Sequence, residues 1–70
     1  MIKQMEITLN GELKQFTDSI NVLTMLNELQ IDTRQVAVER NLEIIPKSLY
    51  EVTTLENGDK IEIVEFIGGG

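Results

Sequence analysis

Three consecutive glycines, Gly68, Gly69 and Gly70, close the sequence and are its residues best suited to take part in chemistry. Because glycine has no Cβ, its backbone can adopt almost any φ and can approach the catalytic groups of another protein closely. The reacting group would be the terminal carboxylate of Gly70 rather than a side chain. A carboxylate is a poor acyl donor at neutral pH, so a partner must activate it, most simply as an acyl-adenylate made from ATP. The alternative is that the glycines are a frayed end without a function.

The length of this glycine segment suits delivery into a partner. Fully extended, residues 67–70 would reach about 13–14 Å beyond the last strand, at about 3.3–3.6 Å per residue. That reach is enough to enter a pocket while the folded body stays outside. We therefore predict one domain over residues 1–66 and a flexible tail over residues 67–70.

The composition argues against catalysis by the chain itself. Without cysteine there is no thiolate nucleophile, thiolate metal site or disulfide, and without histidine the commonest general base and metal ligand are missing. We therefore predict no catalytic residue, no metal and no bound cofactor. The four lysines, Lys47 among them, are predicted to be solvated because no phosphate-binding glycine loop precedes any of them.

The charge of the chain indicates which partners it can meet. Twelve acidic residues against six basic ones give 70 residues a net charge of -6, which repels nucleic acid and anionic lipid and favours a basic partner surface. Residues 1–6 contain no long apolar stretch, so neither a signal peptide nor a membrane span is expected there. We therefore predict a cytoplasmic protein that binds neither nucleic acid nor membranes.

Alternating apolar and polar residues predict five strands, over residues 3–10, 12–16, 36–39, 42–45 and 60–66. Asn10-Gly11 between the first two is a strong hairpin signal. Leu13 and Phe16 lie three residues apart, which predicts a bulge or an early end in the second strand.

One helix is predicted over residues 22–30. Val22, Met25, Leu26 and Leu29 recur at helical spacing, and Asn21 is a suitable N-cap. The order of elements is therefore β-β-α-β-β-β. A mixed sheet of four to five strands with one main helix packed across it is the β-grasp (ubiquitin-like) arrangement, an α+β fold.

A β-grasp domain with a glycine tail resembles the ubiquitin-like sulfur carriers, and among them the sulfur carrier family of thiamine biosynthesis (the ThiS family). The resemblance covers essentially the whole chain. It is carried by the order and spacing of residues 38–46 (VERNLEIIP), 56–64 (ENGDKIEIV) and 66–70 (FIGGG). Many members end in two glycines, so Gly69 and Gly70 match the pair and Gly68 extends it.

The resemblance implies a function. An ATP-dependent activating enzyme would adenylate the carboxylate of Gly70, and sulfur from a cysteine-derived donor would replace AMP to leave a thiocarboxylate. Thiazole synthase would then take the sulfur to build the thiazole ring of thiamine. The chain would be a cosubstrate, with ATP consumed by the activating partner.

The last strand also predicts a docking surface for these partners. If Ile61 and Ile63 point inward, Val64 and Phe66 lie on the outer face beside the tail, where an apolar pair is a plausible docking site. Ile67 belongs either to this surface or to the core. Two acidic residues that flank the tail, Glu62 and Glu65, could steer it towards a basic pocket.

Three other functions fit the same features. The small subunit of molybdopterin synthase would share the fold, the tail and the activation chemistry. A protein modifier would join Gly70 to lysines of its targets. A plain β-grasp binding module would not need Gly69 and Gly70 at all.

Overall fold

Five strands form one mixed sheet in a computed structural model that describes residues 3–66. The strands are β1 (Gln4–Leu9), β2 (Glu12–Thr17), β3 (Val36–Arg40), β4 (Glu43–Ile45) and β5 (Lys60–Glu65), and the helix is α1 (Val22–Glu28). Two 3₁₀ turns, Thr33–Gln35 and Lys47–Leu49, flank the β3–β4 hairpin. The predicted tail, residues 67–70, lies outside the described residues, so the division of the chain at residue 66 stays a prediction.

The strand order is β2-β1-β5-β3-β4, with β1 and β5 running parallel and the other neighbours antiparallel. The last strand therefore lies in the middle of the sheet, between the first and the third. A single main helix accompanies this sheet. This is the predicted β-grasp fold.

The first hairpin is regular, and the bulge predicted in β2 is wrong. Asn10 and Gly11 both have positive φ, 48° and 84°, as a two-residue hairpin turn requires. The pairing then runs without interruption from Leu9 opposite Glu12 to Gln4 opposite Thr17. Phe16 is buried while Leu13 is exposed, because the two residues point to opposite faces of a continuous strand.

The helix begins where predicted and ends two residues earlier. The side-chain Oδ1 of Asn21 accepts a hydrogen bond from the backbone N–H of Thr24 at 2.7 Å, so Asn21 is the N-cap. At the other end Gln30 has a φ of 59°, and its N–H donates to the carbonyl of Asn27. The N–H of Ile31 donates to the carbonyl of Leu26. These two bonds form a Schellman motif, which closes the helix before residue 30.

Strand bounds differ from the prediction by one or two residues. Leu42 was predicted to start a strand, but Asn41 and Leu42 form the β3–β4 turn with φ values of 51° and 72°, so β4 begins at Glu43. The second and third strands each extend one residue further, to Thr17 and Arg40. The last strand ends at Glu65 rather than at residue 66.

The core lies between α1 and one face of the sheet. Its members are the buried apolar residues Met5, Ile7, Leu9, Phe16, Ile20, Val22, Met25, Leu26, Val36, Val38, Ile45, Tyr50, Leu55 and Ile61. Partly buried Ile63 packs against this cluster. Within residues 3–66, no helix is both long and apolar enough to cross a membrane.

Candidate functional site at the end of β5

The last strand presents its two faces to different surroundings. Ile61 is fully buried and Ile63 is partly buried, whereas Val64 has 52% of its surface exposed. The predicted alternation along β5 is therefore confirmed. Glu62 lies on the same outer face as Val64, because both are offset by one residue from the buried positions.

Neighbouring strands add residues to this outer face that sequence analysis missed. Val64 lies opposite Ala37 on β3, and Glu62 lies opposite Glu39, which in turn lies opposite Ile44 on β4. Ile44 is 70% exposed. We call Ala37, Ile44 and Val64 the outer patch. The period-2 pattern of β3 and β4 contained the necessary signal, but only the pairing register places Ala37 beside Val64 and Ile44 one row away, beside Glu39.

The acidic residues near the end of β5 do not share one face. Glu62 and Glu39 lie side by side on the outer face, next to the outer patch. Glu65 lies opposite Val36, a core residue, but at the end of the sheet, where it is exposed. The outer patch is therefore bordered by negative charge, which is complementary to a basic partner surface.

Phe66, the last described residue, is held at the end of β5. Its backbone N–H donates to the carbonyl of Gln35 at 2.8 Å, while its side chain is 57% exposed. The ammonium of Lys47 lies 5.6 Å from the centre of the Phe66 ring, within the range of a cation–π interaction. Lys47 is exposed, as predicted, and its ammonium also contacts the ring of Phe66. The predicted site residues Ile67, Gly68, Gly69 and Gly70 lie outside the described residues.

The 3₁₀ turn Thr33–Gln35, whose last carbonyl accepts the hydrogen bond from Phe66, is stabilised by an ion pair. Both carboxylate oxygens of Asp32 accept hydrogen bonds from the Arg34 guanidinium, at 3.1 and 3.0 Å, and Oδ1 also accepts from the Arg34 backbone N–H. These hydrogen bonds lower the pKa of Asp32 and raise the pKa of Arg34. Asp32 is also the N-cap of the 3₁₀ turn that ends at Gln35, so this turn is held in place.

The start of β5 holds a different cluster of charges. Asp59 is the one buried charged residue in the described part of the chain, and its carboxylate accepts hydrogen bonds from Arg40, Asn41 and the backbone N–H of Glu56. The hydrogen bonds that the Asp59 carboxylate accepts therefore all stabilise the fold. Among residues 3–66 there is no group of three or more His, Cys, Asp or Glu side chains placed to hold a metal ion.

Known proteins identify the family. The sequence model of the ThiS family matches residues 7–70. The sulfur carrier protein ThiS of Bacillus subtilis is 42% identical over 65 residues, which are 91% of this chain and 98% of that protein. The crystal structure of a thiamine biosynthesis protein (ThiS) from Geobacter metallireducens superimposes with a TM-score of 0.83 at 33% identity, covering 94% of this chain and 100% of that one.

A longer relative carries a similar stretch. A thiazole synthase of Paramagnetospirillum magneticum is 54% identical over 66 residues, which are 94% of this chain but 20% of that protein. This chain therefore spans about a fifth of the length of that relative. The match to the family model extends over most of the chain, and the structural match over nearly all of it. The chain belongs to the ThiS family of sulfur carrier proteins of thiamine biosynthesis.

Proposed function

We propose that this chain carries sulfur as a thiocarboxylate on Gly70 and donates it to the formation of the thiazole ring of thiamine. The observation that carries the proposal is the family match, which runs through residue 70 and so includes all three tail glycines. The Bacillus subtilis relative, a sulfur carrier, matches over almost its whole length, which supports the same role for a unit of this size.

The chemistry proceeds in two stages on the tail. First, an oxygen of the Gly70 carboxylate attacks the α-phosphate of ATP, pyrophosphate leaves, and an acyl-adenylate remains. Second, a sulfur nucleophile adds to the activated carbonyl and AMP leaves. If the donor is a cysteine-derived persulfide, the product is an acyl disulfide, and a thiol must reduce its S–S bond to give the thiocarboxylate. The carrier supplies the acyl group and the partners supply the catalysis.

The body of the domain contributes the docking surface. Val64, Phe66 and Ile67 provide the apolar contacts, and the outer patch widens this surface across β3 and β4. Glu62 and Glu65 supply the negative charge that steers the tail towards a basic pocket mouth. Such a partner surface has an apolar centre and a basic rim, which is one form of the apolar core and polar rim that protein interfaces commonly have.

The partners follow from the chemistry. An ATP-dependent activating enzyme consumes ATP, a cysteine-derived donor supplies the sulfur, and thiazole synthase accepts that sulfur. The carrier binds no cofactor of its own and acts as a cosubstrate. The stretch of 54% identity within a thiazole synthase chain supports the pairing of carrier and synthase. We place this chemistry in the cytoplasm, because it consumes ATP and cysteine.

Intact mass spectrometry tests the proposal. The purified protein is first weighed to establish that the chain ends at Gly70, and it is then incubated with ATP, an activating enzyme, cysteine and a cysteine desulfurase with a thiol reductant. A sulfur-for-oxygen mass shift confined to the C-terminal peptide is expected, and the shift should vanish without ATP.

Other outcomes would favour the other functions. An unchanged mass, in a mixture that modifies a known carrier, would contradict the proposal and favour a binding module. Covalent ladders on target proteins in cell extract would indicate a protein modifier. Recovery in a stable complex with a molybdopterin synthase large subunit would indicate the small subunit of that enzyme.

A further inference from the structure

The last strand extends beyond its neighbour β1. The two strands pair only where residues 8–9 lie opposite residues 60–61, after which β1 leads into the first hairpin turn. On its other side, β5 pairs with β3 as far as Glu65. The second half of β5 therefore has a neighbouring strand on one side only. We call its unpaired side, along residues 62–65, the β5 flank.

The backbone hydrogen bonds show which residues of β5 face this flank. The N–H of Phe66 donates to the carbonyl of Gln35, so Phe66 directs its backbone groups towards β3. These directions alternate along a strand, so Val64 also faces β3, whereas Ile63 and Glu65 face the flank. Within residues 3–66, the backbone N–H and carbonyl of Glu65 have no hydrogen-bond partner.

The side chain of Asn10 occupies the other position on the flank. Its Oδ1 accepts a hydrogen bond of 2.8 Å from the N–H of Ile63, and its Nδ2 donates one of 3.3 Å to the carbonyl of the same residue. A residue of a neighbouring antiparallel strand would satisfy Ile63 with the same pair of bonds. The amide of Asn10 therefore takes the place of a strand residue at Ile63, while Glu65 is left open.

The β5 flank adjoins the outer patch. An unpaired strand edge is a template onto which another strand can add. Val64, which belongs to the outer patch and is 52% exposed, lies between Ile63 and Glu65. A strand added here would place its own side chains beside Val64, so backbone pairing and apolar contact would form together. The open edge of β2, in contrast, lies at the far side of the sheet.

The side chains along the flank select the kind of strand that fits. Glu62 and Glu65 are exposed at its two ends, with partly buried Ile63 and exposed Val64 between them. A complementary strand has apolar residues beside Ile63 and Val64 and a basic residue beside Glu65. A second copy of this chain does not fit, because it would bring four glutamates together, and each chain carries a net charge of -6.

We infer that the β5 flank binds an extended segment of the activating enzyme as an added strand. The amide of Asn10 rotates away from Ile63, and the segment pairs with the backbones of Ile63 and Glu65. The inference rests on the proposed function, since activation of the Gly70 carboxylate is what requires this enzyme. A carrier of either pathway and a protein modifier would all need such an enzyme, because a free carboxylate is a poor acyl donor.

Hydrogen exchange at single amides, measured on the carrier alone and on its complex with the activating enzyme, tests the inference. In the free protein the amide of Glu65 should exchange fast, and that of Ile63 more slowly because Asn10 accepts from it. In the complex we expect exchange at Glu65 to slow at least about tenfold, as a new backbone hydrogen bond would cause.

The amide of Gln15 on β2 is the internal control. Its partner Glu6 directs its carbonyl to the N–H of Gly58, away from β2, so the N–H of Gln15 also faces an open edge. This edge is remote from the β5 flank. Exchange at Gln15 should therefore be the same in the free carrier and in the complex.

Two substitutions at Glu65 separate its backbone from its charge. Both Glu65→Pro and Glu65→Ala remove the carboxylate, but only proline removes the N–H that would donate to the added strand. We expect the dissociation constant for the enzyme, measured by calorimetry, to be about two- to tenfold higher for Glu65→Pro than for Glu65→Ala, the range of one hydrogen bond. Gln15→Pro is the matched control and should leave this constant unchanged.

Asn10→Gly tests the displacement of the amide. Glycine accepts the positive φ of 48° at this position, but it has no amide that must leave Ile63. We expect the variant to bind the enzyme about two- to fivefold more tightly, since no side-chain hydrogen bond has to be broken first. Thermal unfolding shows whether each variant is folded, and if Glu65→Pro is not, exchange in the wild-type complex decides.

Each contrary result overturns a defined statement. Unchanged exchange at Glu65 in the complex, or equal binding of Glu65→Pro and Glu65→Ala, would contradict strand addition. Weaker binding of Asn10→Gly would show that the amide contacts the enzyme instead of giving way to it.

Two further results would change the partner or the function. Protection of Glu65 that grows with the concentration of the carrier alone would assign the flank to a second copy. If the chain neither bound the enzyme nor released pyrophosphate with it, while a known carrier did both, the proposed function would fail and this inference with it. Pyrophosphate release without protection at Glu65 would overturn the inference alone.

Discussion

The buried carboxylate of Asp59 lies 2.8 Å from Nε of Arg40 and ties the start of β5 to the end of β3. The same carboxylate accepts from Nδ2 of Asn41 at 3.1 Å, and Oδ1 of Asn41 accepts from the N–H of Lys60 at 2.9 Å. The turn between β3 and β4 is therefore bound to the central strand. Phe66 is at the other end of β5, so the strand is anchored by side-chain hydrogen bonds at its start and leads at its end towards residues 67–70, for which we propose the chemistry.

Asp59→Asn should destabilise the domain by about 2 kcal/mol, because a hydrogen bond to a charged group is lost and the half-buried Arg40 guanidinium is left with weaker partners. Urea denaturation followed by circular dichroism measures the loss. Glu56→Gln is the control: Glu56 contacts the same guanidinium at 3.3 Å but is 78% exposed, so its loss should cost less than about 0.5 kcal/mol. Equal stabilities of Asp59→Asn and wild type would contradict the role given to this pair.

Much of the fold follows from local patterns in the sequence. The alternation of β1 and β5, the Asn10-Gly11 turn and the Asn21 cap each depend on neighbours within a few residues, so the sequence predicts them directly. The predicted bulge in β2 is wrong because the three-residue spacing of Leu13 and Phe16 does not interrupt the strand. In a regular strand the two simply point to opposite faces, and Leu13 is left exposed.

The contacts that could not be predicted from the sequence join residues that are distant in the chain. Asp59 closes its turn by hydrogen bonds with Glu56, but nothing near it in the sequence indicates that Arg40 folds over it. Lys47 is exposed as predicted, but the sequence does not predict its contact with Phe66, because that contact exists only once β5 lies beside β3. Likewise, Ile44 joins Val64 on one face only through the registers of two strand pairs.

Val64→Glu should weaken the binding of the activating enzyme and of thiazole synthase at least about fivefold, because it places a charge in the centre of an apolar contact. Isothermal titration calorimetry measures both affinities. Leu13→Glu is the matched control, as Leu13 is another exposed apolar residue on β2, at the far edge of the sheet. Both variants should fold as stably as wild type to within about 0.5 kcal/mol. If both weaken binding alike, the docking surface is not centred on β5.

Deletion of Gly70 should abolish thiocarboxylate formation without affecting the stability of the domain. Among residues 3–66, all members of the buried core lie between Met5 and Ile61, so we expect this core to form without Gly70. Intact mass after the activation reaction and a thermal unfolding curve measure the two effects. A lowered thermal midpoint would show that the end of the chain contributes to the fold, and a retained sulfur-for-oxygen shift would mean that the new terminal carboxylate of Gly69, or another group, carries the sulfur in place of Gly70.

Ionisation of the Tyr50 phenol should lower the free energy of unfolding of the domain at alkaline pH. Burial raises the pKa of its phenol above the usual value of about 10, since the anion is disfavoured inside the protein. The folded state therefore keeps the proton when the unfolded state loses it. The stability due to the neutral phenol is complete below the unfolded pKa and is lost as the pH rises through the folded one.

Ultraviolet difference absorbance follows this titration directly, because Tyr50 is the one tyrosine of the chain and tryptophan is absent. Tyr50→Phe is the control: it removes the ionisation and a long hydrogen bond of 3.4 Å to the carbonyl of Val36, so its stability should depend less on pH above about 10. An equal alkaline loss in both proteins would assign the effect to other groups.

Leu42→Gly should stabilise the domain by about 1 kcal/mol. Leu42 has a φ of 72° and is 87% exposed, so its side chain is strained by the left-handed backbone and gains little from burial. Glycine adopts this conformation without strain, and a glycine directly after Asn41 would make an Asn-Gly pair, the favoured sequence for a two-residue hairpin turn. Urea denaturation measures the gain.

Gly58→Ala is the reciprocal test of the same argument. Gly58 has a φ of 88°, and a Cβ built there would meet no atom within 4 Å, so any loss of stability comes from the backbone alone. We expect a loss of about 1 kcal/mol, opposite in sign to Leu42→Gly. If Leu42→Gly instead lowers the stability, the exposed leucine makes contacts that outweigh its strain, and the turn would be held by its side chain as well as by Asn41.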